Sequence, residues 1–233
     1  MPGTLYALGA GPGDPELLTI KAAKVLGRVE AVFAASSSKN DYSVSLAIVS
    51  EHIGPQTRII RLGFPMTRDK EALCAAWEEN ADIVADYLRT GKDAAFITLG
   101  DPSLYSTFGY LAPVLRRALP QARIEIVPGV TSFQAAAAKL GRPLAEAGEN
   151  LIILSGIRDG ESLKKALATA DNAVIMKAYR NFPAIRNALS ELGLAEKTAF
   201  VSRLGQEGEL IRERLSDAPE NPHYFSLCLT RSV

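Results

Sequence analysis

The sequence predicts an α/β protein of two domains. The N-terminal domain, residues 1–129, has a five-stranded parallel sheet with helices on both faces; the C-terminal domain, residues 130–233, has a mixed sheet. Three observations predict this. Short apolar runs alternate with helical patterns through the first half, as parallel strands joined by right-handed crossovers do. Three of those runs pass directly into glycine-containing loops. The chain then changes character near Gly129, where a helical segment leads into a second set of strands and helices.

The first strand is Thr4-Leu5-Tyr6-Ala7-Leu8, short, apolar and running into glycines. Asp14 is a good N-cap, Pro15 suits the first helical position and Glu16 the positive helix end. They predict a helix from Pro15 to about Leu26, with Leu18, Ala22, Val25 and Leu26 at helical spacing and Gly27 as its stop. Ala31 to Ala34 is a second strand, Ser36 to Asp41 a polar loop, and Ser43 to His52 a helix. Arg58 to Leu62 is a third strand. Asp69 to Arg89 is a long helix carrying Leu73, Trp77, Ile83, Val84 and Leu88, ended by Gly91. Ala94 to Leu99 is a fourth strand, followed by Gly100-Asp101-Pro102 and a helix from about Leu104 to Ala118. Ile124 to Val127 is a fifth strand, followed by Pro128-Gly129. In the second domain a helix spans about Ser132 to Leu140. Its strands are Leu151 to Leu154, Ala173 to Met176, Ala199 to Val201 and Tyr224 to Leu229, with helices near Ser162 to Ala168 and Phe182 to Leu192.

Composition narrows the function. Lys plus Arg equals Asp plus Glu at 26 each, so the basic excess of a general nucleic-acid binder is missing. His52 and His223 are the only histidines, which leaves little for a zinc site or a histidine-based triad, and no metal is expected. Cys74 and Cys228 form no C-x-x-C pattern and read as buried thiols in a reducing compartment. No apolar run approaches the ~18 residues of a membrane span, and the N-terminus does not read as a signal peptide. A cytoplasmic protein is expected, with no membrane and no nucleic-acid partner.

The chemistry should lie in three loops: Gly9 to Pro15, Gly100 to Pro102 and Pro128 to Ser132. They follow the carboxyl ends of strands one, four and five, the edge where open parallel sheets bind ligands. Glycine there removes the Cβ that would hold a ligand away from the backbone. Any one loop alone would more often be a tight turn; three on one edge point to a site. A dinucleotide fingerprint fails on spacing, since Gly9-x-Gly11-x-Gly13 is not G-x-G-x-x-G, and no Gly-Lys-Ser/Thr of a phosphate loop occurs. An NAD-dependent oxidoreductase is weakened accordingly.

The stretch Tyr6-Ala7-Leu8-Gly9-Ala10-Gly11-Pro12-Gly13-Asp14-Pro15-Glu16-Leu17-Leu18-Thr19 resembles the opening motif of the tetrapyrrole methylases. Leu99-Gly100-Asp101-Pro102-Ser103-Leu104-Tyr105-Ser106-Thr107 resembles that family's second motif, and Val127-Pro128-Gly129-Val130-Thr131-Ser132 its third. Order and spacing agree, and the resemblance spans nearly the whole chain. Within the family, Tyr105-Ser106-Thr107-Phe108, Phe133-Gln134-Ala135-Ala136-Ala137 and Tyr224-Phe225-Ser226-Leu227 are most similar to the precorrin-2 C20-methyltransferases of corrin-ring synthesis, which act on precorrin-2 or its cobalt form. Other methylases of the fold, such as uroporphyrinogen III methylases or diphthine synthase, are the near alternatives. A non-catalytic ligand-sensing module is the alternative of a different class.

The resemblance implies a homodimer with S-adenosylmethionine in an active cleft between two α/β domains, released as S-adenosylhomocysteine. By position the cofactor contacts would be Pro12, Leu99, Gly100, Asp101, Leu104, Thr131, Ser132, Met176 and Leu204. Leu204 departs from the pattern, because the expected glycine comes one place later, at Gly205. The implied reaction is an in-line displacement of the sulfonium methyl by an electron-rich ring carbon, whose hydrogen then leaves. Asp14, Asp101 and Tyr105 are candidate proton acceptors, with Tyr105 and Asp101 the catalytic candidates. The substrate's carboxylates suit basic side chains. Arg61, Arg68 and Lys177, with Asp14 and Tyr105, are the substrate-binding candidates; Lys39 and Arg180 are further basic residues near strand ends. Phe64, Pro65, Met66, Tyr105 and Phe108 are expected to line an apolar trough for the ring.

Overall fold

The structure is a computed structural model that describes residues 1–37 and 43–231. The candidate Lys39 lies outside the described residues. The chain divides into two compact units, Met1–Thr131 and Ser132–Val233.

In the first unit five strands, β1 (Thr4–Gly9), β2 (Ala31–Ser37), β3 (Arg58–Phe64), β4 (Ala94–Thr98) and β5 (Arg123–Val127), form a sheet in the order β3-β2-β4-β1-β5. Every pairing is parallel. Four α-helices connect them: α1 (Ile20–Leu26), α2 (Val44–Val49), α3 (Lys70–Arg89) and α4 (Phe108–Ala118). Alternate strand residues serve opposite faces, as the two-residue period requires. Leu5, Ala7, Phe33 and Phe96 pack with Val84 and Leu88 of α3 and Leu111 and Leu115 of α4. Tyr6, Leu8, Val32 and Ile97 pack with Val25 of α1 and Ile48 and Val49 of α2. The expected parallel sheet with helices on both faces is therefore present. Each fully buried Leu, Ile, Val or Phe contributes about 1.5–3 kcal/mol.

In the second unit β6 (Leu151–Ser155), β7 (Asn172–Met176), β8 (Thr198–Ser202), β9 (Leu210–Arg212) and β10 (Ser226–Arg231) run in the order β6-β7-β10-β8-β9. Only β6 and β7 pair in parallel; β10 is antiparallel to both β7 and β8, and β9 to β8. The sheet is mixed, as expected. Helices α6 (Gly160–Leu167) and α7 (Phe182–Glu191) cover one face through Leu163, Leu167, Phe182 and Ile185. Helix α5 (Ser132–Lys139) packs on β10.

Several sequence expectations are corrected. The helix expected from Pro15 is interrupted: Asp14 caps a single 3-10 turn, Pro15–Leu17, Leu18 is extended, and α1 starts only after Thr19, whose hydroxyl accepts from Ala22 N at 3.2 Å. The helix expected from Leu104 starts at Phe108, so the loop after β4 is longer than the sequence implied. Tyr224 and Phe225 precede β10 instead of opening it, and β9 was missed. Arg61 is inside β3 on an exposed position, because that strand continues to Phe64. Ile83 is exposed on α3. Cys74 is exposed too: the buried residues of α3 begin at Asn80, and Cys74 lies nearly two turns before that. Cys228 is buried as expected, and burial pushes its thiol up to about 12.

At the carboxyl ends of the adjacent strands β4, β1 and β5 the backbones close up on one another. A Cβ on Gly9 would stand 2.6 Å from Gly100 O and from Gly129 Cα; one on Gly129 would stand 2.3 Å from Gly100 O and 2.8 Å from Gly9 Cα. Backbone atoms cannot rotate away as a flexible side chain can. Gly9→Ala is therefore expected to lose roughly 3 kcal/mol or more in urea unfolding, at the upper end of overpacking costs. Gly109, in α4, has nothing within 4 Å of its Cβ position. Gly109→Ala should gain about 0.5–1 kcal/mol from helix propensity. A loss below ~1 kcal/mol for Gly9→Ala would mean that the three loops are not rigidly stacked.

Candidate functional site

The candidate site is built from those three loops. The first leaves β1 with Ala10 N donating to Thr98 O at 2.9 Å. Gly11 (φ +80°) and Gly100 (φ +69°) then bond reciprocally: Gly100 N donates to Gly11 O at 2.8 Å and Gly11 N to Gly100 O at 3.3 Å. Both sit in the left-handed region that glycine enters without steric cost. Pro12 is buried behind this bridge. Asp14, at the loop's far end, accepts from Glu16 N at 3.0 Å.

Asp101 ties the second loop to the third. It is 8% exposed. One carboxylate oxygen accepts from Ser103 N at 2.8 Å and from the Ser103 hydroxyl; the other accepts from Gly129 N at 2.8 Å. The carboxylate is thus committed at three acceptor sites before any ligand arrives. The loop then returns to its own strand: the Thr98 and Ser106 hydroxyls are 2.9 Å apart, and Ser106 Oγ accepts from Phe108 N, the first residue of α4, at 3.1 Å. Leu104 is half-buried between these anchors. Tyr105 has φ +49° and is 52% exposed.

Pro12, Leu99, Gly100, Asp101, Leu104, Tyr105 and Thr131 all lie in these loops. Gly100 is where a ligand can approach, since a Cβ there would meet nothing within 4 Å, in contrast to Gly9 and Gly129. Thr131 ends the first unit and Ser132 opens α5 in the second. Arg68 is exposed in the loop after β3. Strand β3 lies two strands from β4, about 10 Å by ordinary strand spacing. Phe64 and Phe108 are not free to line a trough: both are buried against Phe96 in the core, and Phe108 is only 2% exposed. Met66 and Tyr105 are exposed.

In the second unit the remaining candidates also follow strand ends. Met176 closes β7 half-buried, and Lys177 follows with φ +55°. Burial, and then the charge of Arg180, holds the Lys177 ammonium below the usual lysine value. Arg180 donates from Nε to the Tyr179 hydroxyl at 3.0 Å, and the Tyr179 ring meets Tyr224 with centroids 5.0 Å apart. After β8 come Arg203 (φ +52°), whose N–H donates to Phe225 O at 2.8 Å, and Leu204, which is 6% exposed. Gly205 takes φ +68° directly after. Burial, followed by the Arg203 charge, lowers the His223 pKa.

The sequence reading missed the anchoring roles of Ser103, Ser106 and Gly129, and missed Arg203. The displaced glycine at Gly205 was the one signal that the loop after β8 is unusual. Among the described residues, no group of three or more His, Cys, Asp and Glu side chains is arranged as a metal site. No helix is long and apolar enough to cross a membrane among the described residues. A cavity of about 530 Å³ lies at the opposite, amino-terminal edge of the parallel sheet. Two of its lining residues, Lys92 and Glu30, are ion-paired at 2.5 Å, and none of the site candidates lines it.

Known proteins resemble this chain along nearly its whole length. Residues 4–219 match the family described as Tetrapyrrole (Corrin/Porphyrin) Methylases. The chain is 37% identical over 231 residues to the cobalt-precorrin-2 C(20)-methyltransferase of Salmonella typhimurium, covering 98% of this chain and 96% of the relative. It is 31% identical over 237 residues to the precorrin-2 C(20)-methyltransferase of a Sinorhizobium species, covering 97% and 94%. A solved uroporphyrin-III C-methyl transferase of Thermus thermophilus, complexed with S-adenyl homocysteine, shares the fold with a TM-score of 0.69 at 24% identity, covering 99% of this chain and 98% of that one. With three glycine loops in family order and a match along nearly its whole length, this chain belongs to the tetrapyrrole methylases.

Proposed function

We propose that this chain transfers a methyl group from S-adenosylmethionine to C20 of precorrin-2 or its cobalt form, in corrin-ring synthesis. The observation that carries the reading is the near full-length similarity to two relatives named for methylation at that carbon, one for each form of the ring. The local geometry fits the donor. Gly100 presents left-handed backbone to open space, a cradle that any Cβ would fill. The loops around it are cross-braced by the Gly11–Gly100 bridge and by the Asp101 carboxylate.

The donor supplies an already activated methyl group. The protein's task is then alignment, which can lower a barrier by about 7–11 kcal/mol. In this reading backbone groups at Leu99, Gly100 and Asp101 hold the donor's polar ends, Pro12 and Leu104 pack against it, and Thr131 and Ser132 offer hydroxyls. Met176 and Leu204, beyond the ends of β7 and β8, complete the proposed contacts. Asp101 serves by fixing Gly129 and Ser103, so its effect on the donor is one of positioning. Tyr105 orients the ring in this reading. Asp14, Arg61, Arg68 and Lys177 remain the proposed substrate contacts, the basic ones matching ring carboxylates. The enzyme is proposed to be cytoplasmic and homodimeric, and sedimentation should give twice the 25.0 kDa chain mass; a single-chain mass would remove the dimer from the reading.

Incubation with methyl-labelled S-adenosylmethionine and either precorrin-2 or cobalt-factor II should place label at C20 of at least one ring. No transfer to either would reject the proposal. Asp101→Ala frees the Gly129 and Ser103 donors and should weaken S-adenosylhomocysteine binding about tenfold or more by calorimetry, from the loss of hydrogen bonds to a charged acceptor. Unchanged affinity would confine Asp101 to the fold.

A further inference from the structure

Lys177 and Arg180 stand at the two ends of one turn after β7, closed by Arg180 N donating to Lys177 O at 3.1 Å. The turn is pinned to the start of β10: Ala178 N donates to Ser226 O at 3.1 Å, and Tyr179 N to Ser226 Oγ at 3.0 Å. Lys177 holds a φ of +55° there, a left-handed conformation that persists at such a residue only where the surroundings impose it. All of these residues belong to the second unit.

Neither cation has an ion-pair partner among the described residues. Lys177 is half-buried, and the charge that acts on its ammonium is that of Arg180. Two like charges on one turn, one of them partly desolvated, cost free energy that an arriving anion offsets. The carboxylates on the neighbouring loops at this sheet edge do not supply that anion. Asp159, after β6, accepts from Ser162 N at 2.7 Å. Glu209, before β9, accepts from Gly205 N at 2.6 Å and lies 3.5 Å from Lys139 Nζ. Glu207, beside it in sequence, is exposed.

Arg180 is oriented in advance. Its Nε donates to the Tyr179 hydroxyl at 3.0 Å, with the guanidinium carbon 5.9 Å from the Tyr179 ring centroid. Both Nη groups have no partner among the described residues. A guanidinium fixed at Nε with its Nη groups open is a fork for one carboxylate. The aromatic surface continues from there. Tyr179 meets Tyr224 with centroids 5.0 Å apart, and Tyr224 meets Phe225 at 5.0 Å. Tyr224 is 39% exposed, and the Arg180 charge acts on it too, so the fork and the open ring lie close together.

We propose that Arg180, Tyr179 and Tyr224 form a subsite for the tetrapyrrole. The Arg180 fork takes one carboxylate of the ring system, Lys177 adds positive charge beside it, and Tyr224 packs against the rim of the macrocycle. The identity of the ligand rests on the methyltransferase reading above. A small inorganic anion would use the two cations and leave the tyrosine rings idle. A purely apolar ligand would use the rings and leave the cations uncompensated. A flat polycarboxylate uses both.

The test reads cobalt-factor II affinity by absorbance titration of the S-adenosylhomocysteine-loaded protein, which needs no turnover. Arg180→Ala should weaken ring binding about tenfold or more, from the loss of hydrogen bonds between charged groups. Arg180→Lys keeps the charge without the fork and should recover only part of that loss. Tyr224→Ala should weaken binding about fivefold, and Tyr224→Phe, which keeps the ring, should restore most of it. In turnover the Arg180→Ala loss should fall on KM more than on kcat, as removal of uniform binding does. Both side chains are exposed, so unfolding midpoints should stay at the wild-type value. Ring affinities within about twofold of wild type for both alanine variants would overturn the subsite. A loss of about tenfold in S-adenosylhomocysteine affinity for Arg180→Ala would give the fork to the donor's carboxylate and overturn it as well. Wild type that binds the ring with this pattern yet transfers no methyl overturns the parent reading and leaves the subsite. Wild type that methylates, with every variant at wild-type KM, does the reverse.

Discussion

The constraint on which the candidate site depends is the backbone contact among Gly9, Gly100 and Gly129. Strands β4, β1 and β5 are neighbours, so their exit loops must leave through one narrow stretch of sheet edge. With Cβ atoms at Gly9 and Gly129 the loops would have to splay, since each Cβ would stand under 3 Å from backbone of the other loops. Without them the loops close, and two further interactions become reachable. One is the reciprocal bridge between Gly11 and Gly100; the other is the bond from Gly129 N to Asp101. The carboxylate acts here as a brace inside the protein, nearly buried and holding three local donors. Rigid elements hold a site more precisely than free loops, and the bracing turns three loops into one such element.

The second unit reaches order at its strand ends by a different route. There the left-handed positions directly after β7 and β8 are occupied by Lys177 and Arg203, which carry a steric cost that glycine would avoid. The cost is sustained by hydrogen bonds to the segment entering β10: Ala178 and Tyr179 onto Ser226, and Arg203 onto Phe225. The same segment supplies Tyr224, which meets the Tyr179 ring. Two of the three left-handed non-glycine residues of the second unit, Lys177 and Arg203, thus carry charge on either side of one strand; the third is Asn181, just before α7. That is the distribution expected where side-chain direction matters more than local stability.

The sequence carried the fold well because its signal is repeated. Each strand of the first unit is an apolar run, and alternate residues such as Tyr6 and Ala7 fall into opposite cores as the period of two demands. The three loops were legible for the same reason: glycine at a strand end is a local, chemical signal. What was not legible depended on partners distant in the chain. The early helix start at Leu104 came from reading apolar residues as helix, when Ser106 instead folds back onto Thr98 and holds Phe108 N just before the helix begins. Phe64 and Phe108 are large apolar residues near strand ends, and only the packing around Phe96 decides that they are core and not trough. Cys74 has a core-like residue type and a core-like helical phase, yet its turn lies outside the buried stretch of α3. The positive φ of Lys177 and Arg203 left no mark in composition, because neither residue type favours it.

The two kinds of edge differ in what they offer chemically. Displacement at a sulfonium methyl needs no acid and no charge supplied at the reacting carbon, so open hydrogen-bonding backbone of the kind found at Gly100 suits such a donor. The ring that receives the methyl must afterwards lose a proton, and it carries many negative charges. The edge of the first unit presents hydrogen-bonded backbone around the nearly buried Asp101; the edge of the second presents Lys177 and Arg180 in one turn with the Tyr179 and Tyr224 rings. A glycine at position 177 would relieve the backbone; the chain holds a half-buried lysine there instead, and the bonds of Ala178 and Tyr179 to Ser226 hold its left-handed turn in place.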